Sequence, residues 1–199
     1  MTRVVLATRN EGKVVELRRI LEAAGLDIDL VGMDQFPDVP DVVETGSTFA
    51  ENALLKARTV YAATGLVAVA DDSGLVVEAL NGMPGILSAR WAGRHGDDQA
   101  NLDLVLAQLS DLPDERRGAA FVCAAAAVGP DAEEIAAGTI VGSLIREPRG
   151  SNGFGYDPIF VPDGYDITTA EMSPEDKDAI SHRGEAFRAI APLLASMLS

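Results

Sequence analysis

The stretch Leu66-Val-Ala-Val-Ala70-Asp71-Asp72-Ser73-Gly74 decides how this chain is read. Leu66 to Ala70 is an apolar run of strand length, and it ends directly in two acids, a serine and a glycine. Gly65 precedes it. Ahead of Gly65, Thr48-Phe-Ala-Glu51 is a capping-box signature for a helix running to about Ala63. A helix that feeds a buried strand is the building unit of an α/β sheet.

Working outward, the N-terminal segment has the same grammar. Val4 to Ala7 reads as a buried strand and residues 8–12 as a polar turn. Val14, Leu17, Ile20, Leu21 and Ala24 then recur at helical spacing before a stop at Gly25. A second strand is expected over 28–32 and a proline-bearing acidic loop over 34–47. Downstream, 71–74 reads as a turn, Leu75 to Leu80 as a further strand and 81–96 as a loop. Leu102, Val105, Leu106 and Leu109 mark a helix. Residues 119–128 and 133–145 read as strands joined at Gly129-Pro130-Asp131. Residues 148–165 are rich in glycine and proline around aromatics. Ser173-Pro174-Glu175-Asp176 opens a helix, and a last helix carries Ala186, Ile190, Leu193, Leu194 and Met197 on one face. Strands and helices alternate at first and strands then cluster, which predicts an α/β fold with a mixed sheet. No repeat or linker divides residues 1–199, so a single domain is expected.

Composition narrows the function classes. The net charge of −15 makes the chain a poor general nucleic-acid binder, because neutralising phosphates needs dense lysine and arginine. No apolar run reaches 18 residues, so no membrane span is expected, and the first residues do not read as a secretory signal. The single cysteine, Cys123, fits a reducing compartment and rules out a cysteine-based zinc cluster.

Four stretches can carry chemistry, and each has a plain structural alternative. Thr8-Arg9-Asn10-Glu11-Gly12-Lys13 lies at a helix start, where free backbone N–H groups favour an anion; it lacks P-loop spacing, and an ordinary capped turn is the alternative. Asp71 and Asp72, with Glu44, offer oxygen ligands suited to Mg²⁺ at the carboxyl end of a strand; a solvated acidic turn is the alternative. Gly153-Phe154-Gly155-Tyr156-Asp157 frames an aromatic face on which a flat base could stack, an interaction worth roughly 1–3 kcal/mol; a glycine-rich hairpin with Phe154 and Tyr156 in the core is the alternative. Lys177, with Ser181-His182-Arg183, places donors at a junction between helices, or else merely offsets a helix dipole. Together these are the parts of a nucleotide site, with a divalent metal that would assist hydrolysis of a phosphate ester or anhydride.

The order of motifs resembles the non-canonical purine nucleoside triphosphate pyrophosphatases, the inosine triphosphatase-like or Ham1-like family. The matching stretches are Leu6 to Lys13, Glu44 to Asn52, Ala70 to Leu75, Pro84 to Arg90, Gly153 to Phe160 and Ala179 to Gly184. The resemblance implies an elongated mixed sheet flanked by helices, two lobes with a central cleft, and a homodimer. It implies hydrolysis of ITP, dITP or XTP to the monophosphate and pyrophosphate with Mg²⁺; the lone cysteine and the lack of a secretory signal make a cytoplasmic location the expectation. It also implies roles. Thr8, Arg9, Asn10, Glu11, Gly12 and Lys13 would contact phosphate or sugar, with Lys56 reaching phosphate and Ser73 touching substrate. Glu44 and Asp72 would hold the metal, with Asp72 also the proton acceptor. Phe154, Gly155, Tyr156 and Asp157 would flank the base, and Lys177, His182 and Arg183 would complete the pocket. Arg9, Leu87, Trp91 and Asn152 depart from the commonest family pattern without removing a proposed ligand. Two other readings stay open: a pyrophosphatase for pyrimidine nucleotides, and a nucleotide-binding module without catalysis.

Overall fold

The computed structural model describes residues 2–199. Six strands form one mixed sheet in the order β2-β1-β3-β4-β5-β6. In chain order the elements are β1 (Thr2–Leu6), α1 (Glu11–Ala23), β2 (Ile28–Val31), α2 (Phe49–Thr64), β3 (Ala68–Val77), α3 (Asp98–Gln108), β4 (Gly118–Val128), β5 (Glu133–Leu144), β6 (Phe160–Pro162), α4 (Pro174–Ile180) and α5 (His182–Met197). β1 pairs in parallel with β2 and with β3, whereas β5 and β6 pair antiparallel. Parallel neighbours need crossover helices, and α1 and α2 supply them.

The mixed α/β sheet expected from the sequence is borne out. The helix signals hold too: Thr48 Oγ1 accepts from the Glu51 amide at 3.1 Å, and Gly65 ends α2 at φ 69°. Two details differ. The short strand β6 lies inside the glycine- and proline-rich stretch, because its pairing partner is remote in sequence. And Asp71 to Gly74 is not a turn: β3 runs unbroken through it.

The chain divides into two compact units. The first comprises residues 1–72, 123–138 and 182–199, and the second residues 73–122 and 139–181. In the first unit, β4 shows alternate faces. Cys123, Ala125 and Ala127 pack with Val69 against α1 and α5, where Leu17, Leu21, Phe187 and Ile190 are buried. Ala124, Ala126 and Val128 pack with Ala70 against Ala53 and Ala57 of α2. The small side chains let α2 lie close to the sheet. The core of the second unit gathers Leu75 and Val77 of β3, Leu102, Val105 and Leu109 of α3, and Tyr156, Ile159 and Phe160. Among the described residues no helix is long and apolar enough to cross a membrane.

Candidate functional site

Strand geometry explains how two adjacent acids take different surroundings. Successive side chains on a strand point to opposite faces. Val69 faces α1 and α5 while Ala70 faces α2. Continuing that alternation, Asp71 meets side chains of α1 and α5, and Asp72 meets side chains of α2. Both carboxylates are buried, at 4% and 8% exposure. A turn would have let them share one environment; the strand separates them.

Asp71 is held entirely by cations. Lys13 Nζ donates to its two oxygens at 3.2 and 3.1 Å, and Arg183 Nε donates to Oδ2 at 3.2 Å. Arg183 Nη1 also donates to Glu16 Oε1 at 3.2 Å. Burial opposes ionisation of Asp71, but Lys13, Arg183 and Lys56 overcome it and hold the carboxyl well below the usual range. Burial likewise opposes the charged form of Arg183, and Asp71 and Glu16 more than offset it.

The anion turn sits just ahead of Lys13. Asn10 caps α1 by accepting from the Lys13 amide at 3.2 Å, and Thr8 Oγ1 accepts from the Asn10 amide at 3.2 Å. Glu11 lies in the first turn, and a Cβ at Gly12 would stand 3.1 Å from Asn10 Oδ1. Arg9 is used structurally: its guanidinium donates to Asp41 Oδ1 at 2.8 Å and to the carbonyls of Met33 and Val39.

Asp72 has neighbours of both signs. Asn52 Nδ2 donates to Oδ2 at 3.1 Å, and Lys56 Nζ lies 3.4 Å from Oδ1. The same ammonium donates to Glu44 Oε1 at 2.8 Å. Burial raises the Asp72 pKa above the ordinary value; Lys56 opposes this, Glu44 reinforces it, and the net shift is upward. Glu44 and Asp72 thus already share one cation. Two hard carboxylate oxygens around a cationic point match the chemistry of Mg²⁺, which takes one or two carboxylates and fills its remaining positions with water and phosphate oxygens. Among the described residues no group of three or more His, Cys, Asp or Glu side chains could by itself hold a metal, so a cage formed wholly by the protein is not what the donors offer.

In the second unit, Gly153 and Gly155 adopt φ of 73° and 63°, and the Phe154 ring between them is half exposed. Tyr156 goes the other way. It is buried, and its hydroxyl donates to the Ser88 carbonyl at 2.8 Å. So the two aromatics separate, one outward and one into the core. Asp157, 3% exposed, holds this loop. It accepts from the Phe154 amide at 2.9 Å, from Thr169 Oγ1 at 2.8 Å and from Lys177 Nζ. Lys177 Nζ also stands 5.4 Å from the centre of the Phe154 ring. Ser73, the next residue of β3 after Asp72, is partly buried.

The Ham1 family profile matches residues 4–193. The chain belongs to the Ham1 family. It is 62% identical, over the full length of both chains, to a Streptomyces coelicolor protein named dITP/XTP pyrophosphatase. Its fold matches a Coxiella burnetii HAM1 protein at a TM-score of 0.89 and 43% identity, covering 98% of this chain and 100% of that one. A Mycobacterium abscessus structure described as a nucleoside-triphosphatase / dITP/XTP pyrophosphatase matches at a TM-score of 0.78 and 57% identity, covering 97% and 99%.

Within this Ham1 family member, the first unit brings together Thr8, Asn10, Lys13, Glu44, Lys56, Asp71, Asp72, His182 and Arg183, and the second gathers Ser73, Phe154, Gly155, Tyr156, Asp157 and Lys177. Sequence reading gave no role to Asn52, Glu16 or Asp98. Asn52 precedes Lys56 by four residues and is a polar side chain among the buried Ala53, Ala57 and Val60 of α2, which is a usable signal. Glu16 stands three residues after Lys13 on α1. Asp98 accepts from the Gly155 amide at 2.9 Å, a contact between residues 57 positions apart that no local pattern announces.

The start of α5, which carries His182 and Arg183, depends on Gly138. A Cβ there would overlap the His182 carbonyl oxygen and approach the Ala186 amide nitrogen to 2.6 Å. Both obstacles are backbone, so the helix itself must move. Gly138→Ala is expected to lower stability by about 1–3 kcal/mol, the usual cost of overpacking; urea unfolding measures it, and an unchanged midpoint would show that the first turn of α5 yields freely.

Proposed function

We propose that this protein hydrolyses deaminated purine nucleoside triphosphates (ITP, dITP and XTP) to the monophosphate and pyrophosphate, and so removes them from the nucleotide pool. The observation that carries the proposal is the sharing of Lys56 Nζ by Glu44 and Asp72, in a chain 62% identical to a protein named dITP/XTP pyrophosphatase. Glu44 and Asp72 would hold Mg²⁺, which when bound polarises phosphoryl oxygens.

The chain's own residues supply the rest. Lys13 and Lys56 offset charge that develops on the leaving pyrophosphate. Asp72 accepts the proton of the attacking water, and its raised pKa makes it a better base than an ordinary surface carboxylate. A cation held by Asp72 would lower that pKa, so its roles as ligand and as base compete. The amide donors of the Thr8-to-Lys13 turn suit phosphate or sugar oxygens.

Phe154 offers a face for the base. Lys177 Nζ, which lies over the Phe154 ring, is a donor that a 6-oxo group can accept from and a 6-amino group cannot. An unmatched buried polar group costs about 1–3 kcal/mol, so adenine nucleotides are disfavoured. His182 and Arg183 lie at the start of α5, and Arg183 acts there through Asp71 and Glu16. Family membership supports a homodimer, and the lone buried Cys123 supports a reducing, cytoplasmic setting.

A substrate panel tests the reading. With Mg²⁺ present, kcat/KM for ITP, dITP and XTP is expected to exceed that for ATP by at least about tenfold, the ratio that 1.4 kcal/mol of discrimination yields. Equal rates across the panel would refute it. Rates highest with pyrimidine triphosphates would favour a related pyrophosphatase, and binding without pyrophosphate release a non-catalytic module.

A further inference from the structure

We infer that Asn52 is a positioning residue that sets both carboxylates of the Glu44–Asp72 pair through one side-chain amide. Asn52 is fully buried on the inner face of α2. Its two ends do different work. Nδ2 donates to Asp72 Oδ2 at 3.1 Å, while Oδ1 accepts from the Gly46 amide at 2.8 Å. Gly46 is two residues from Glu44, so the segment that carries one acid is tied to the group that orients the other.

Lys56, one helical turn later, completes the clamp. Its Nζ faces Asp72 Oδ1 and Glu44 Oε1, so the two oxygens of Asp72 face two different donors from α2. The Glu44 segment is also pinned at the cap of the helix, where Glu51 Oε2 accepts from the Ser47 amide at 2.6 Å. Gly46 must lack a side chain for this closeness. A Cβ there would come within 2.7 Å of Asn52 Oδ1 and of Glu51 Cβ.

A carboxylate with one oxygen fixed by an amide donor presents the other in a defined direction. Outer-shell partners of this kind typically change metal affinity or activity by about 10–100-fold when removed. Leucine in place of Asn52 would fill the space and fix neither acid. Aspartate would still accept from Gly46 but could not donate to Asp72, and it would add a third negative charge beside the pair.

The inference rests on the reading of Glu44 and Asp72 as the metal-holding pair. The test measures Mn²⁺ binding to the nucleotide-free protein by electron paramagnetic resonance, together with kcat and KM for dITP under a Mg²⁺ titration. The variants are Asn52→Ala, Asn52→Asp and Gly46→Ala, with Glu44→Gln and Asp72→Asn as references. Gly46 is only partly buried, so Gly46→Ala displaces the Glu44 segment even where the Asn52 variants fold poorly.

Asn52→Ala and Gly46→Ala are each expected to weaken Mn²⁺ binding by about tenfold and to lower kcat by about 10–100-fold, with KM for dITP changed less than about threefold. Asn52→Asp is expected to lower kcat at least as far. If Glu44→Gln weakens Mn²⁺ binding while Asn52→Ala and Gly46→Ala bind it like the parent, Asn52 does not position the pair and the inference is overturned alone. If neither Glu44→Gln nor Asp72→Asn affects Mn²⁺ binding, the metal reading falls, and the inference with it.

Discussion

Asp72→Asn is expected to fold normally and to release pyrophosphate from dITP at least about a thousandfold more slowly than the parent. General-base catalysis alone is worth roughly 10²–10⁴ in rate, and a carboxamide can neither accept the proton nor match a carboxylate as a ligand for Mg²⁺. The fold is expected to survive because asparagine keeps the shape and still offers an oxygen to Asn52 Nδ2. Lys56 keeps Glu44 as its partner. Stability should hold or rise. The folded-state pKa of Asp72 is raised, by burial first and by Glu44 and Asp71 as well. A group of that kind costs stability at any pH above its unfolded value, because the unfolded chain ionises more easily. Replacing it with a neutral group of the same shape removes that cost. Loss of turnover with an equal or higher thermal midpoint is the pattern of a residue kept for chemistry rather than for folding. Turnover within about threefold of the parent would remove Asp72 from the mechanism.

How much of this was legible beforehand depends on the range of the interaction. Local signals read well. The Thr48–Glu51 cap, the Gly65 stop and the strand–turn–helix opening at Thr8 to Lys13 all lie within a few residues of what they control. The motif order also placed the chain in its family. The acidic stretch misled because Asp, Asp, Ser and Gly favour turns on their own. Here the flanking residues Ala68 to Ala70, Leu75 and Val77 are buried, and their packing carries the strand through. That single correction determines the chemistry, since only a strand turns Asp71 and Asp72 to opposite faces. Long-range bonds left no trace in sequence. Arg117 illustrates this: buried at 1% exposure, it donates to the carbonyls of Leu109, Leu144 and Ile145, up to 28 residues away. Asn52 lies between these extremes, spaced correctly from Lys56 but meaningful only once Asp72 and Gly46 are seen on either side of it.

Arg183→Leu is expected to be the most destabilising single change near the site, at about 3–5 kcal/mol, because it strips a buried carboxylate of its buried partner. The Arg183 and Asp71 side chains are each only 2% exposed. Without Arg183, Asp71 keeps only Lys13 as a bonded cation, and Glu16 loses the Arg183 donor as well. Asp71→Leu is expected to cost less, because Arg183 retains Glu16 and Lys13 is partly exposed and can turn to water. The double variant Asp71→Leu/Arg183→Leu should recover much of the loss, since a buried pair replaced by apolar groups of similar size is often close to neutral. Dependence on pH supplies an independent check. In the parent, the Asp71 pKa is held below its unfolded value of 3.8. Its contribution is therefore fully present above about pH 4 and is lost as pH falls below that toward the folded value. In Arg183→Leu the carboxylate is poorly compensated and its pKa rises, so lowering the pH neutralises an unfavourable charge. The gap in stability between variant and parent should shrink from pH 7 to pH 4 in urea unfolding curves. A gap under about 1 kcal/mol at pH 7, or one that widens on acidification, would mean that the Asp71–Arg183 pair does not hold α5 against the sheet.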